Sequence, residues 1–154
     1  MELKIGDTVE NFTLQNTEGK PISLKDLTQD GKAVLLFFPV AFSGVCTEEL
    51  CSARDNMKMF NSLNANVAAI SVDSFFALRQ FKKVNNLNFE LLSDFNKEVS
   101  AQFNSLYDDF YGMKGVSKRS AFVINQDLQL EYIEILDDAD QVPDFKKIMG
   151  VLSK

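Results

Sequence analysis

The chain contains no histidine among its 154 residues, and this absence excludes more chemistry than any other feature of its composition. Without imidazole there is no Ser-His-Asp or Cys-His catalytic arrangement, no histidine-containing zinc site and no imidazole general base. Any reaction must therefore depend on Cys, Ser, Thr, Tyr, Lys, Arg or carboxylate side chains.

Cysteine is scarce as well, with Cys46 and Cys51 the two thiols of the sequence. A chain of this length buries enough surface to fold as one domain, residues 1–154, without disulfides. Two thiolates with no histidine fall short of the four ligands of a zinc site. We therefore expect the cysteines to serve chemistry or packing, and we expect no metal.

Long apolar segments and an excess of positive charge are also lacking. The longest nearly apolar run, residues 33–42, is too short to span a bilayer, and the N-terminal residues lack the apolar core of a signal peptide. The net charge of −6 and the pI of about 4.7 argue against binding to nucleic acid. We expect a cytoplasmic protein that binds neither membranes nor nucleic acids.

Apolar runs alternate with amphipathic segments along the chain. The pattern predicts a hairpin within residues 12–24, strands at 32–38 and 67–72 and within "FELLSD", helices at 46–63, 75–84 and 97–103, a second hairpin within 119–135, and a helix from Pro143 to Leu152. This order predicts an α/β protein with a thioredoxin-like fold, in which helices flank both faces of a central mixed β-sheet and an N-terminal β-hairpin extends it.

Both cysteines lie in the stretch "FFPVAFSGVCTEELC", which begins where a buried strand ends. Sites in open α/β sheets lie beyond the carboxyl ends of the strands. Cys46 lies in that position, near the predicted start of a helix, where unpaired N–H groups and a partial positive charge favour a thiolate. We therefore interpret Cys46 as a nucleophile.

The second cysteine follows the first by five residues. On an ideal helix this spacing places the Cα atoms of Cys46 and Cys51 about 8.6 Å apart, whereas a disulfide needs about 4.4–6.8 Å. A bond between the two would therefore require the helix to unwind locally. Considered alone, Cys51 is better explained as a small core residue than as a reactive thiol, and both alternatives stay open.

The segment "PVAFSGVC", Pro39 to Cys46, resembles the active-site motif of the peroxiredoxins: proline, three residues, threonine or serine, two residues and the reactive cysteine. Glu49 stands where this family usually has a glutamate, and Arg119 in "RSAFVIN" stands where it has an arginine. Further matches at "GDTVENFTL", "AAISVDS" and "FELLSD" extend the resemblance over most of the chain.

The chain departs from the family pattern in two places and matches two of its subgroups. Glu10 replaces a usual proline, and Ser43 replaces the commoner threonine while keeping the hydroxyl. The spacing in "CTEELC" resembles the bacterioferritin co-migratory protein subgroup, in which the second cysteine resolves the first. The overall sequence is also similar to the one-cysteine alkyl hydroperoxide reductase E-like subgroup.

The resemblance implies a thiol peroxidase that reduces hydrogen peroxide and organic hydroperoxides without metal, haem or flavin cofactors. Cys46 would be oxidised to a sulfenic acid, the first oxidation state of a cysteine thiol. Cys51 would condense with it to a disulfide, and a thioredoxin-like reductant would restore both thiols. Among such relatives both monomers and homodimers are expected.

The resemblance also implies roles for the remaining motif residues. Pro39 would shield the cysteine, and Ser43 would hydrogen-bond the thiolate and the peroxide. Arg119 would hold the sulfur negative, and Glu49 would orient Arg119. Arg119 follows Cys46 by 73 positions, and without the resemblance we would interpret this arginine as an exposed charge at a strand edge.

Two other functions are compatible with a pair of cysteines. A thioredoxin-type disulfide reductase requires a Cys-x-x-Cys motif, which the chain lacks. A non-catalytic redox sensor or holdase would use a Cys46–Cys51 bond to alter a partner surface, and it differs from a peroxidase in showing no turnover. If the chain is a peroxidase, we expect aromatic side chains such as Phe42 and Phe76 to set the width of its pocket.

Overall fold

Seven strands form one mixed sheet in the structure, a computed structural model that describes residues 2–154. The strands are β1 (Thr13–Asn16), β2 (Pro21–Ser23), β3 (Lys32–Phe37), β4 (Ala65–Ser71), β5 (Glu90–Ser93), β6 (Ser120–Ile124) and β7 (Leu130–Ile135). The helices are α1 (Leu24–Leu27), α2 (Gly44–Asp55), α3 (Met57–Ser62), α4 (Phe75–Val84), α5 (Glu98–Gln102) and α6 (Phe145–Leu152).

The spatial order of the strands is β2-β1-β5-β4-β3-β6-β7. Strands β3, β4 and β5 are parallel to one another, whereas β6 and β7 pair antiparallel beyond β3. The N-terminal hairpin of β1 and β2 joins the other side of the sheet, where β1 pairs antiparallel with β5. The predicted mixed sheet with an N-terminal hairpin is therefore confirmed.

Helices cover both faces of this sheet. Along β3, side chains alternate between a core shared with α2, α3, α4 and α6, which includes Val34 and Leu36, and a core shared with α1 and α5, which includes Leu35 and Phe37. Strand β3 is thus buried on both faces, and this explains its continuous apolar sequence.

The single helix predicted over residues 46–63 is divided in two at Asn56. The backbone of Asn56 leaves the helical region, with φ −102° and ψ 7°, and its side-chain amide donates to the carbonyl of Ser52 at 2.8 Å. Asparagine side chains compete for backbone groups in this way and so end helices. The first helix also begins two residues earlier than predicted, at Gly44.

The C-terminal helix begins later than predicted. Pro143 precedes the helix instead of lying in its first turn, because Asp144 is the N-cap and its carboxylate accepts the N–H of Lys147 at 3.2 Å. An aspartate oxygen can satisfy an unpaired amide of the first turn, which proline cannot do.

The sheet brings two distant parts of the sequence together. Because β6 runs antiparallel to β3, Ser120 at the start of β6 lies opposite Phe37 at the end of β3. Arg119, directly before β6, is therefore placed next to the segment that leads from β3 into α2. The sheet topology therefore brings together Cys46 and Arg119, whose residue numbers differ by 73.

No helix within residues 2–154 is long and apolar enough to cross a membrane.

Phe122 packs in the core on the α1 and α5 side of the sheet, where its ring centroid lies 4.9 Å from that of Phe103 and 5.7 Å from that of Phe37. We expect Phe122→Ala to lower the free energy of unfolding by about 3–5 kcal/mol, measured by urea denaturation, because it leaves a cavity. Phe95→Ala removes a ring that is 64% exposed and is the matched control, with an expected change within about 0.5 kcal/mol. A loss below about 1 kcal/mol for Phe122→Ala would contradict this packing.

Candidate active site

The start of α2 places Cys46 inside the protein. Ser43 is the N-cap of α2, with φ −75° and ψ 152°, and Cys46 is the third residue of the helix and fully buried. The Ser43 hydroxyl does not cap the helix and instead donates to the carbonyl of Val40 over 3.4 Å. The sulfur therefore lies in the first helical turn, where backbone N–H groups lack helical partners.

A single buried arginine connects the cysteine to a glutamate. Arg119 is 1% exposed, and its Nη2 donates to the Sγ of Cys46 at 3.2 Å. Its Nη1 donates to Oε1 of Glu49 at 2.6 Å, and its Nε donates to the carbonyl of Ala139 at 2.8 Å. Arg119 is thus a buried site residue and not an exposed charge at a strand edge.

The backbone of Arg119 is also fixed. Its N–H donates to the hydroxyl oxygen of Tyr107 at 3.3 Å, and that hydroxyl donates to the carbonyl of Leu136 at 2.8 Å. Burial raises the pKa of Tyr107, although the neighbouring Arg119 opposes this rise. Tyr107 therefore remains a protonated donor, and it holds the arginine to the segment that follows β7.

Burial dominates the electrostatics of the Glu49 carboxyl group. Removal from water raises the pKa of Glu49 to about 7, the attraction of Arg119 partly offsets this, and repulsion from Glu134 adds to it. The second oxygen of Glu49, Oε2, has no hydrogen-bond partner within residues 2–154. Burial also lowers the pKa of Arg119, but the negative charges of Glu49 and Cys46 outweigh it, so the net pKa shift is upward and the guanidinium stays charged.

A cavity of about 150 Å³ opens beside Arg119, and Cys46 and Glu49 are not among its described lining residues. It is lined by Ser43, Gly44, Val45, Phe110, Tyr111, Arg119, Ala139 and Asp140. One water molecule occupies about 30 Å³ in the liquid, so the cavity has room for a small polar molecule next to the arginine. Two larger cavities, of about 400 and 420 Å³, have neither cysteine nor arginine among their described lining residues.

The aromatic wall of this cavity comes from a segment that the sequence analysis did not identify. Phe110 and Met113 pair across a tight turn whose central residues, Tyr111 and Gly112, have φ of 53° and 84°. Gly112 is the sequence signal for such a turn, because glycine is favoured at its second central position. Phe42 is not a lining residue, and its ring instead packs against another aromatic side chain, 5.0 Å from the centroid of Phe81.

The second aromatic residue expected at the cavity also lies elsewhere. Phe76 stacks on Phe75 with a centroid distance of 4.1 Å and is 65% exposed. Neither ring of this pair lines the cavity beside Arg119.

The two cysteines are free thiols with different partners. Cys51 is half-buried on α2, and its thiol donates to Oδ1 of Asn85, the C-cap of α4, at 3.7 Å. Cys46 instead accepts from Arg119, so the intact helix directs the two sulfurs to separate neighbours. Pro39 is buried two residues beyond the end of β3.

Comparisons with known proteins relate most of the chain to one protein family. The AhpC/TSA family profile matches residues 5–133. Peroxiredoxin Bcp of Escherichia coli K12 is 32% identical over 133 residues, which are 85% of each chain. The crystal structure of peroxidoxin BcpB from Mycobacterium tuberculosis is similar with a TM-score of 0.88 and 33% identity, over 99% of this chain and 97% of that one.

A more distant structure has the same architecture. The reduced 2-Cys peroxiredoxin of Plasmodium vivax matches with a TM-score of 0.87 at 21% identity, over 99% of this chain and 81% of that one. The similarity to these solved structures confirms the predicted thioredoxin-like fold.

The raised pKa of Glu49 generates a prediction about stability. Between about pH 4.5 and about pH 7 the folded protein holds a proton that the unfolded chain releases, so a rise in pH disfavours folding. Relative to Glu49→Gln, wild type should lose stability across this window by up to about 1.4 kcal/mol per pH unit.

Urea denaturation of both proteins at closely spaced pH values measures this difference. Glu48→Gln, at the exposed neighbouring glutamate, controls for the loss of one negative charge. A stability difference between wild type and Glu49→Gln that stays constant, or that grows in favour of wild type with rising pH, would refute the assignment.

Proposed function

The chain belongs to the AhpC/TSA family of peroxiredoxins, and we propose that its Cys46 reduces hydrogen peroxide and organic hydroperoxides by way of a sulfenic acid. The observation that carries this proposal is the contact between the Arg119 guanidinium and the Cys46 sulfur, 3.2 Å long and buried beside a small cavity. A cationic donor fixed beside the sulfur can stabilise the negative charge that develops on a departing peroxide oxygen.

In the first step the Cys46 thiolate attacks one oxygen of the peroxide. The S–O bond forms as the O–O bond breaks, and the departing oxygen takes up a proton and leaves as water or an alcohol. Cys46 is left as a sulfenic acid, with two electrons transferred to the peroxide. Negative charge moves from sulfur to the leaving oxygen during this step, and Arg119 donors next to the cavity stabilise it there.

Ser43 and Pro39 act on the same segment. The 3.4 Å contact of the Ser43 hydroxyl with Val40 is long for an O–H donor, so this hydroxyl is available to turn toward a peroxide in the cavity that it lines. Pro39 is buried in the segment that leads from β3 to the start of α2, and it has no N–H that would need a partner there. Both features support the proposed roles of peroxide binding for Ser43 and shielding for Pro39.

Glu49 acts through the arginine. It accepts a hydrogen bond of 2.6 Å from Nη1 of Arg119, which leaves Nη2 directed at the sulfur. The planar guanidinium has a fixed donor geometry, so holding one nitrogen sets the direction of the other. We assign Glu49 the role of orienting Arg119.

In the second step Cys51 resolves the sulfenic acid. The Cys51 sulfur attacks the Cys46 sulfur, the S–O bond breaks, water leaves and an intramolecular disulfide forms. Because both cysteines lie on the continuous helix α2, about 8.6 Å apart at Cα by ideal geometry, the first turns of α2 must unwind. Cys51 also has to leave its contact with Asn85.

In the third step a dithiol reductant returns two electrons and two protons to the disulfide and is itself oxidised to a disulfide. We assign this role to a thioredoxin-like protein, and we place the cycle in the cytoplasm, where such reductants keep thiols reduced.

Mass spectrometry of the reduced protein after one equivalent of hydrogen peroxide tests the two-cysteine cycle. Wild type should lose two hydrogens and contain an intramolecular Cys46–Cys51 link. Cys51→Ser should gain one oxygen on Cys46, because nothing in the chain can then resolve the sulfenic acid. Cys46→Ser is the control and should not react.

The other outcomes separate the remaining alternatives. Sulfenic or sulfinic acid on Cys46 in both wild type and Cys51→Ser would make this a one-cysteine enzyme with Cys51 as a packing residue. Disulfide formation without repeated peroxide consumption in the presence of a dithiol would indicate a sensor. No reaction in any variant would refute the peroxidase proposal.

A further inference from the structure

The segment between β3 and α2 contains a turn at Ala41 and Phe42. Phe42 has a φ of 69°, in the left-handed region where a residue with a β-carbon is disfavoured by about 1–2 kcal/mol. Surrounding contacts must therefore hold this turn in place. The turn lies directly before Ser43, so its conformation decides where the active-site helix begins.

Asp73 provides the polar contact to this turn. Its Oδ2 accepts the backbone N–H of Ala41 at 2.8 Å, and the same oxygen accepts the hydroxyl of Ser71 at 2.7 Å. Asp73 lies two residues beyond the end of β4, which is the parallel neighbour of β3. The carboxyl ends of both strands therefore meet at this aspartate.

Asp73 is itself held on several sides. Its N–H donates to the hydroxyl oxygen of Ser71 at 3.2 Å, and its carbonyl accepts the hydroxyl of Ser93, the last residue of β5, at 2.6 Å. Because its carboxylate, its N–H and its carbonyl are all hydrogen-bonded, Asp73 has little freedom to move. Asp73 is thus fixed in place, and its hydrogen bond to Ala41 fixes the position of the turn.

The start of α2 is consequently fixed from two directions. Arg119 holds it from the β6 side through Cys46, and Asp73 holds it from the β4 side through Ala41, two residues before Ser43. Asp73 is not among the residues that line the cavity beside Arg119. Asp73 therefore does not border the space in which a peroxide would bind, and its hydrogen bond to Ala41 is its link to the site.

We propose that Asp73 is a positioning residue for peroxide reduction, which places Ser43 and the first turn of α2 in register with Arg119. This inference rests on the proposed peroxidase function. A misplacement of about 1 Å in a reacting group can cost on the order of 100-fold in rate. Loss of the Asp73–Ala41 hydrogen bond should therefore slow the oxidation of Cys46 by roughly 10- to 100-fold.

The test compares two reactions of the same sulfur in a Cys51→Ser background, so that Cys46 is the one thiol. Stopped-flow measurement gives the rate constant for oxidation of Cys46 by hydrogen peroxide. The rate of alkylation by iodoacetamide measures how available the thiolate is, and it does not depend on how Ser43 and Arg119 are oriented toward a peroxide. Asp73→Ala should lower the peroxide rate constant by roughly 10- to 100-fold. Alkylation should slow by less than about threefold, so the ratio of the peroxide oxidation rate to the alkylation rate should fall.

Two further variants separate positioning from charge and from general stability. Asp73→Asn retains one oxygen that can accept from both Ala41 and Ser71, so it should restore the peroxide rate to within about threefold of the parent. Asp26→Ala removes another aspartate that accepts a backbone N–H, that of Ser23 at 2.9 Å at the start of α1, and is the matched control with unchanged rates.

Several outcomes would overturn the inference. These are a peroxide rate for Asp73→Ala within threefold of the parent, a parallel fall in oxidation and alkylation, or an Asp73→Asn variant as slow as Asp73→Ala. If Asp73→Ala does not fold, Asp73→Ser, whose side chain is one atom shorter than aspartate, takes its place in the same comparison. A parent that does not react with peroxide at all would instead remove the proposed function, and this inference with it.

Discussion

The structure of the site depends on one buried cation, the guanidinium of Arg119. Taking a charge out of water is costly unless it is paired and hydrogen-bonded. Here the pairing comes from Glu49 at 2.6 Å and from the sulfur of Cys46 at 3.2 Å, and the carbonyl of Ala139 accepts from Nε. The contacts that stabilise the buried arginine are therefore the same ones that, in the proposed mechanism, make the cysteine reactive.

The arrangement of strands makes this pairing possible. The antiparallel alignment of β6 with β3 brings the arginine to the end of β3, and the parallel alignment of β4 with β3 brings Asp73 to the same edge. The first turn of α2 lies between these two anchors, Arg119 on the β6 side and Asp73 on the β4 side. Opening of this turn, which the proposed disulfide requires, would release Cys46 from Arg119 while both anchors remain attached to the sheet.

The regular elements could be predicted from local patterns of apolar and polar residues. The continuous apolar run of β3 indicates burial on both faces, and the spacing of apolar residues in α4 indicates an amphipathic helix. The active-site segment was found from the Pro39–Cys46 motif, whereas the approach of Arg119 to Cys46 came from the resemblance alone, since it depends on strand order. The break at Asn56 and the cavity wall at Tyr111 were missed for a related reason. The hydrogen bond of the Asn56 side chain to the backbone and the two-residue turn at Tyr111 do not change the periodic spacing of apolar residues from which helices and strands are predicted.

A double-mutant cycle on Arg119 and Glu49 tests the central claim, that the glutamate acts on the cysteine through the arginine. The rate constant for oxidation of Cys46 by hydrogen peroxide is measured in a Cys51→Ser background for Arg119→Met, Glu49→Gln and the double variant. If the three residues act as a unit, the double variant is about as slow as Arg119→Met alone. Independent reductions that multiply in the double variant would contradict the claim.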